Sequence, residues 1–163
     1  MPRLKKGPKQ HAKPTEEPGT ISFGPLPGYL GYQIRQAQAA VFRNLMASIA
    51  DLEVTPGEYS LLTMLDENPG ISQVDLVAVY HLDKSTLSLA VGRLVKRGLV
   101  RRTRSRDDER YYALWLEQPG RALLQRVRAR VEAQERTMDA ELRRGERKLL
   151  LDMLERVTRA LNR

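Results

Sequence analysis

Residues 93–116, RLVKRGLVRRTRSRDDERYYALWL, constrain the fold more than any other stretch of the chain. Apolar residues at helical spacing lead to Gly98, a residue type that commonly ends a helix. A short strand-like run from residue 99, a polar turn over 105–109 and an alternating apolar run over 110–116 follow. This order predicts a β-hairpin directly after a helix.

The sequence before the hairpin contains two helix-capping patterns. Thr55 with Glu58 forms a capping box, and Pro56 suits the first helical position. This helix is expected to stop at 68–70, where Asn-Pro-Gly is a strong breaker. Its predicted inward residues are Tyr59, Leu62 and Leu65.

A second pair of signals predicts two more short helices. Ser72 with Asp75 is expected to cap a helix over 72–79, and Asp83, after a tight turn, a helix over 84–97. The predicted inward residues are Val74, Val77 and Ala78 in the first of these helices, and Leu87, Val91, Leu94 and Val95 in the second.

The ends of the chain carry apolar stripes that a small winged lobe cannot bury alone. One predicted helix spans 28–50, and helical sequence follows a break at Pro119-Gly120, with a second break near Arg144-Gly145. The stripes are Leu30, Ile34, Ala37, Val41, Leu45 and Ile49, then Leu123, Leu124, Val127 and Val131, then Leu150, Met153, Leu154, Val157 and Leu161. We expect a partner surface to cover part of them.

These patterns predict a mainly α fold with a small β-hairpin wing: a winged helix-turn-helix lobe plus a helical dimerisation lobe. We expect residues 52–116 to form the winged DNA-binding domain. Residues 28–51 and 117–163 are expected to form the dimerisation region. Residues 1–27, rich in Pro, Gly and Lys, are expected to be a disordered basic arm.

The positive charge is concentrated in one part of the chain. The formal net charge is +8, and residues 82–110 hold nine Lys/Arg against four Asp/Glu, whereas 21–81 hold two against six. A local basic segment favours a polyanionic partner over a uniformly adhesive surface. The chain has no cysteine and no apolar run near 18 residues, so we expect a cytoplasmic protein without a membrane partner.

Two short helices followed by a basic hairpin indicate a double-stranded DNA ligand. The second helix is narrow enough for the major groove, and its outward face includes small hydroxyl residues that reach base edges. Arginines at its far end suit phosphates, and those of the hairpin suit the adjacent minor groove. The predicted DNA-binding residues are Lys84, Ser85, Thr86, Ser88, Arg93, Arg104, Arg106 and Arg110, and the outward face also holds Leu89 and Gly92. Asp107 and Asp108 are predicted to order the hairpin loop by accepting hydrogen bonds.

The ensemble of these elements resembles the MarR (multiple-antibiotic-resistance regulator) family of bacterial transcription factors over about residues 28–162. The resemblance rests on LTMLDENPGISQVDLVAVYHLDKSTLSLAVGRLVKRGLVRR, on the wing motif Asp-x-Arg at 108–110, and on Leu116 with Gly120. Glu117, Leu89 and Gly92 depart from the residues that the family more often has. The resemblance implies a homodimer that reads a palindromic operator, commonly a repressor released by a small aromatic ligand. For that effector, Tyr32, Arg35 and Tyr59 are the candidate binding residues, with core packing as the alternative role of the tyrosines.

Catalysis has little support in the sequence. His11 and His81 stand apart from paired acids, and no phosphate-binding glycine loop is present, so we expect no enzyme, cofactor or metal. The remaining alternatives are a non-specific or architectural nucleic-acid binder, and a membrane-surface or partner-binding protein that uses the Arg-rich segment 121–130.

Overall fold

The computed structural model describes residues 21–80, 84–104 and 112–162. Within them the helices are α1 (Leu30–Ser48), α2 (Pro56–Glu67), α3 (Gln73–Tyr80), α4 (Lys84–Lys96), α5 (Gln118–Ala140) and α6 (Glu146–Leu161), and the strands are β1 (Val100–Arg104) and β2 (Tyr112–Leu116). Short 3-10 turns at Leu26–Gly28 and Ala50–Leu52 flank α1. The mainly α fold with one β-hairpin is as predicted.

The chain divides into two compact units, Met1–Ala37 and Gln38–Arg163, and α1 runs through both. In the first unit the rings of Phe23 and Tyr32 lie 6.4 Å apart, and Gln36 Nε2 donates to the Tyr32 hydroxyl oxygen at 2.7 Å. The second unit contains the hydrophobic core, which joins α2, α4, the hairpin and the first half of α5.

The capping box predicted at the start of α2 is confirmed. Thr55 Oγ1 accepts the backbone N–H of Glu58 at 3.2 Å, and a carboxylate oxygen of Glu58 accepts the backbone N–H of Thr55 at 3.0 Å. Leu62 and Leu65 are buried as predicted, Tyr59 is half-buried, and the helix ends before Asn68. Local hydrogen bonding therefore sets where α2 begins.

The inward face predicted for α3 is wrong at Val74 and Ala78. The serine cap is confirmed, because Ser72 Oγ accepts the backbone N–H of Asp75 at 3.1 Å. However, Leu76 is fully buried, whereas Val74 is 50% exposed and Ala78 is exposed. Val77 is half-buried against the core, as predicted. At about 100° per residue, Val74 and Ala78 each lie about 200° from Leu76. A two-turn helix touches α4 and β2 along one edge, and Leu76 is the fully buried position among those of its side chains that the structure describes.

The inward set of α4 and its C-terminus agree with the prediction. Leu87, Val91 and Leu94 are buried and Val95 is half-buried. Gly98 has a φ of +68°, and the N–H groups of Gly98 and Leu99 donate to the carbonyls of Val95 and Leu94. This is the Schellman arrangement, which satisfies the last carbonyls of the helix and turns the chain into β1. The turn before α4, with His81 and the predicted cap Asp83, lies outside the described residues.

The hairpin is antiparallel, with Val100 opposite Leu116 and Arg104 opposite Tyr112. Leu114 and Leu116, which share a face as the alternation predicts, lie in the core, whereas Tyr112 on the same face is 42% exposed. The strand-like run predicted from residue 99 begins at Val100, and β2, predicted from residue 110, is described from Tyr112. Backbone hydrogen bonds between β2 and the α2–α3 turn, from Gly70 to Leu114 and from Leu114 to Ile71, hold the hairpin against the helices.

Pro119-Gly120 lies in the first turn of α5, so the predicted break is the start of the helix. Gly120 is buried, and a Cβ there would lie 2.3 Å from the Leu99 carbonyl oxygen and 2.6 Å from a methyl carbon of Leu116. The absence of a side chain at Gly120 thus allows α5 to pack directly against the base of the hairpin, where Leu99 precedes β1 and Leu116 ends β2.

The break predicted near Arg144-Gly145 is confirmed, because α5 ends at Ala140 and Gly145, with a φ of +89°, precedes α6. Arg147 of α6 pairs with Asp139 and Glu135 of α5. The hydrogen bond that Arg147 donates to the Asp139 carboxylate is the largest cause that raises the pKa of Arg147. No residue of α6 is buried within the described chain.

Candidate nucleic-acid interface

The surface of α4 opposite the core is the first part of the candidate interface. At about 100° per residue, Ser85, Leu89, Gly92 and Lys96 lie between about 140° and 200° from the buried Leu87. All four are exposed. We call them the outer ridge of α4. They are spaced at four, three and four residues, so they follow one another along the helix axis.

The structure places the predicted α4 residues on the exposed surface of that helix. Lys84, Ser85, Thr86 and Ser88 all lie in its first two turns and are exposed. Arg104 is exposed at the end of β1. The predicted wing residues Arg106, Asp107, Asp108 and Arg110 lie outside the described residues. The DNA contacts of the whole set stay a prediction.

Arg93 has an internal partner that its place in the sequence does not indicate. Its Nε donates to a carboxylate oxygen of Glu58 at 3.0 Å, and the Glu58 side chain is only 5% exposed, against 60% for Arg93. Glu58 therefore binds Arg93 through one oxygen and Thr55 through the other. One turn later, Arg97 Nη1 donates to the Glu53 carbonyl oxygen at 2.6 Å. These two arginines fasten the second half of α4 to the segment that begins α2.

The arginines at the base of the hairpin are also held within the fold. Arg101 Nε lies 2.6 Å from a carboxylate oxygen of Glu117 and its guanidinium lies 5.7 Å from the centre of the Trp115 ring. Arg102 Nη2 donates to the Gln73 side-chain oxygen at 3.1 Å, and its guanidinium lies 5.2 Å from the Tyr112 ring centre. Arg102 thus links the hairpin to α3.

Trp115 of β2 also helps to fix the hairpin. Its Nε1 donates to Thr103 Oγ1 at 3.0 Å. A Cβ at Gly70 would lie 3.0 Å from the indole ring, so the glycine leaves room for the tryptophan. The hairpin therefore packs against α3 and α4, the two helices before it. The orientation of α4 is set by its contacts with the segment that begins α2 and with β1.

The candidate effector residues do not form a described site. Tyr32 is half-buried and Arg35 is exposed in the first compact unit, and Tyr59 packs against the core of the second. A common site for them stays a prediction.

A cleft of about 430 Å³ lies elsewhere, between the 3-10 turn after α1, the α4–β1 turn and the start of α5. Leu52, Leu99 and Leu123 contribute apolar walls, and Arg97 and Arg126 contribute guanidinium groups. The sequence does not predict this cleft, because its lining comes from three distant segments.

No helix in the described residues is long and apolar enough to cross a membrane. Nowhere in these residues do three or more His, Cys, Asp or Glu side chains cluster closely enough to hold a metal ion.

The fold has two short helices, α3 and α4, and a hairpin that packs against both. Together with the exposed outer surface of α4, this arrangement defines a winged helix-turn-helix protein of the DNA-binding class. The sequence model of the MarR family matches residues 54–112. The chain is 34% identical over 153 residues to a Thauera aromatica protein described as a transcriptional regulator for the hcr operon, covering 93% of this chain and 92% of that one. The chain belongs to the MarR family, and it is a DNA-binding transcription regulator, not an enzyme.

Two solved structures of the transcriptional repressor CouR are similar to the whole architecture. CouR bound to a 23-mer DNA duplex matches with a TM-score of 0.80 and 33% identity, over 86% of this chain and 99% of CouR. CouR bound to p-coumaroyl-CoA matches with a TM-score of 0.78 and 32% identity, over the same shares of the two chains.

Proposed function

We propose that this protein is a ligand-responsive transcriptional repressor. It binds a palindromic operator as a homodimer and leaves it when a small aromatic acid, or the coenzyme A thioester of one, binds. The observation that carries the proposal is the exposed outer ridge of α4 on a scaffold similar to that of CouR over 86% of the chain. A regulator of operator DNA in a bacterium acts in the cytoplasm.

Exposed apolar residues support the homodimer. Leu150, Met153 and Leu154 of α6 are each at least 40% exposed, as are Leu30 and Phe42 of α1. An isolated chain would leave these apolar side chains in water, and large exposed apolar patches mark interaction sites. A two-fold dimer would cover them and would present two copies of α4 to successive major grooves, about 10 bp apart.

The effector class is supported by relatedness, because the relative CouR binds p-coumaroyl-CoA. The cleft with walls from Leu52, Leu99 and Leu123 is one candidate location. Arg126 supplies a cation there, and Asp51 and Glu53 line the same cleft. The predicted site of Tyr32, Arg35 and Tyr59 is the alternative location. Arg126→Ala and Arg35→Ala test the two locations separately, because each removes a cation from only one of them.

The central experiment compares ligand binding with and without operator. We would obtain the operator by selection from random duplex DNA, then titrate p-coumaroyl-CoA, p-coumarate, benzoates and free coenzyme A by calorimetry. By linkage, a ligand that weakens DNA binding tenfold, about 1.4 kcal/mol, must itself bind tenfold more weakly in the presence of operator. A ligand with equal affinity in both titrations is not the effector.

Selection also tests the alternative of non-specific binding. A specific repressor enriches an inverted repeat, and unrelated DNA competes poorly against it. If no sequence is enriched and any duplex competes equally, the protein is an architectural binder and the repressor proposal is wrong.

A further inference from the structure

The outer ridge of α4 holds one large apolar side chain that the fold does not use. Leu89 is 66% exposed, in the middle of the helix, about 200° around the axis from the buried Leu87. The core of α4 is complete without it, since Leu87, Val91 and Leu94 fill the inward face. Leu89 is therefore available to contact another molecule.

The ridge position that follows Leu89 has no side chain. Gly92 is exposed, and a Cβ added there would meet no described atom of the chain within 4 Å. Glycine within a helix costs about 1 kcal/mol relative to alanine, and internal packing gives no reason for it here. A bare backbone beside Leu89 allows an external surface to come closer than any other residue would permit.

The surroundings of Leu89 indicate what that surface is. The ridge runs from a hydroxyl at Ser85, through Leu89 and Gly92, to an ammonium group at Lys96. In the major groove, base edges present hydrogen-bonding groups, and thymine alone adds a methyl group. A leucine gains nothing from the polar groups and gains from burying against that methyl. Arg93, four residues after Leu89, is paired with Glu58. Its guanidinium group therefore does not take the place at the base edges that Leu89 would occupy.

We propose that Leu89 is a specificity-determining residue that reads the 5-methyl group of thymine in each operator half-site, and that Gly92 lets α4 enter the groove deeply enough for this contact. The inference rests on the proposed function, because it requires a specific operator. Burying one methyl-sized group contributes about 0.8 kcal/mol, so loss of the methyl should weaken binding about fourfold in each half-site.

The test replaces thymine by uracil, one position at a time, in the operator selected by the parent protein. Uracil keeps every hydrogen-bonding group and removes only the methyl. We expect the parent to lose about fourfold at one position in each half-site. Leu89→Ala should bind more weakly and show no loss on that replacement, whereas Leu89→Met should keep the sensitivity.

Lys96→Ala is the matched control on the same ridge. It should weaken binding and lower the salt dependence by about one ion while leaving the response to uracil unchanged. Gly92→Ala should raise the melting temperature and weaken operator binding.

Three results would overturn the inference. They are a parent protein that is indifferent to every uracil, a Leu89→Ala variant as sensitive as the parent, and a Gly92→Ala variant that binds normally. In each case the parent would still enrich an operator, so the proposed function would stand. A parent that enriches no sequence would instead refute the proposed function.

Discussion

Glu58 serves two structural purposes with one buried carboxylate. It closes the capping box of α2 through Thr55 and holds Arg93 on α4. A buried acceptor with two charged or polar donors is costly to disrupt from either side. The orientation of α4, the helix that we propose binds DNA, is therefore coupled to Glu58 in the first turn of α2, thirty-five residues before Arg93 in the chain.

The first prediction is a measurable coupling between these two residues. Arg93→Ala, Glu58→Gln and the double variant should give an interaction energy of about 1 kcal/mol in urea unfolding, since one partner is buried and the other is solvent-exposed. The exposed pair Arg156 and Asp152 on α6 is the control, and about 0.3 kcal/mol or less is expected there. Additive effects at Arg93 and Glu58 would contradict a structural pairing.

The same variant decides whether Arg93 also contacts DNA. If Arg93 binds a phosphate, Arg93→Ala lowers the salt slope of operator binding by about 1. If its role is only to position α4, we expect weaker binding with the slope unchanged. The salt titration thus separates the predicted phosphate contact from the contact that the structure describes.

Gly120 gives a second prediction at the residue scale. Gly120→Ala places a methyl group against the Leu99 carbonyl and the Leu116 side chain, and the backbone oxygen cannot move aside cheaply. We expect a loss of roughly 1 to 3 kcal/mol in the free energy of unfolding. Gly57→Ala is the control, because a Cβ there meets no described atom within 4 Å and alanine favours the helix. Equal stabilities of the two variants would refute the close approach.

At the scale of elements, α2 and α3 are short helices whose beginnings are set by side-chain caps. An eight-residue helix such as α3 has too few internal hydrogen bonds to be stable alone. The Ser72 cap and the burial of Leu76 compensate for this. The hairpin then fixes α3 from the other side through Arg102 and Gln73.

The element-scale prediction concerns that cap. Ser72→Ala removes the acceptor of the Asp75 backbone N–H and should lower the free energy of unfolding by about 1 kcal/mol. Ser60→Ala is the matched control: its hydroxyl only donates to the Pro56 carbonyl within α2, and its loss should be close to neutral. If both variants melt with the parent, the cap contributes nothing to stability.

For the whole molecule, the main consequence is the unburied face of α6. Leu154 is 40% exposed in the chain and lies among other exposed apolar residues. The predicted dimerisation region over 28–51 and 117–163 stays a proposal, and so does the limit of the winged domain at 52–116. Both depend on what this face contacts.

The whole-molecule prediction is that Leu154→Asp abolishes the dimer. Light scattering of the parent should give close to twice the 18.6 kDa chain mass, and the variant close to one, because a dimer would bury an unpaired carboxylate. Arg156→Asp is the control. It adds a carboxylate about 200° around the axis of α6 from Leu154 and should leave the mass of the dimer unchanged. A monomeric parent, or a dimeric Leu154→Asp, would show that this face is not the interface.

What the sequence determined by itself is local. The capping box at Thr55, the serine cap at Ser72, and the glycine end and inward face of α4 depend on residues a few positions apart. Short-range patterns therefore predict them. The family follows from the same elements in order. Alternation likewise predicts that Leu114 and Leu116 share one face of β2, and the structure shows that both are buried.

Only the tertiary structure decided the rest, because it depends on segments that packing brings together. Leu76 replaces Val74 in the core because α4 and β2 approach one edge of α3, and periodicity in eight residues cannot show which edge. The pairing of Arg93 with Glu58 and the approach of Gly120 to Leu99 join residues more than twenty positions apart. For Leu89 and Gly92 the sequence predicts the outward face, and the structure adds that Leu87, Val91 and Leu94 complete the core on the opposite face of α4 without them.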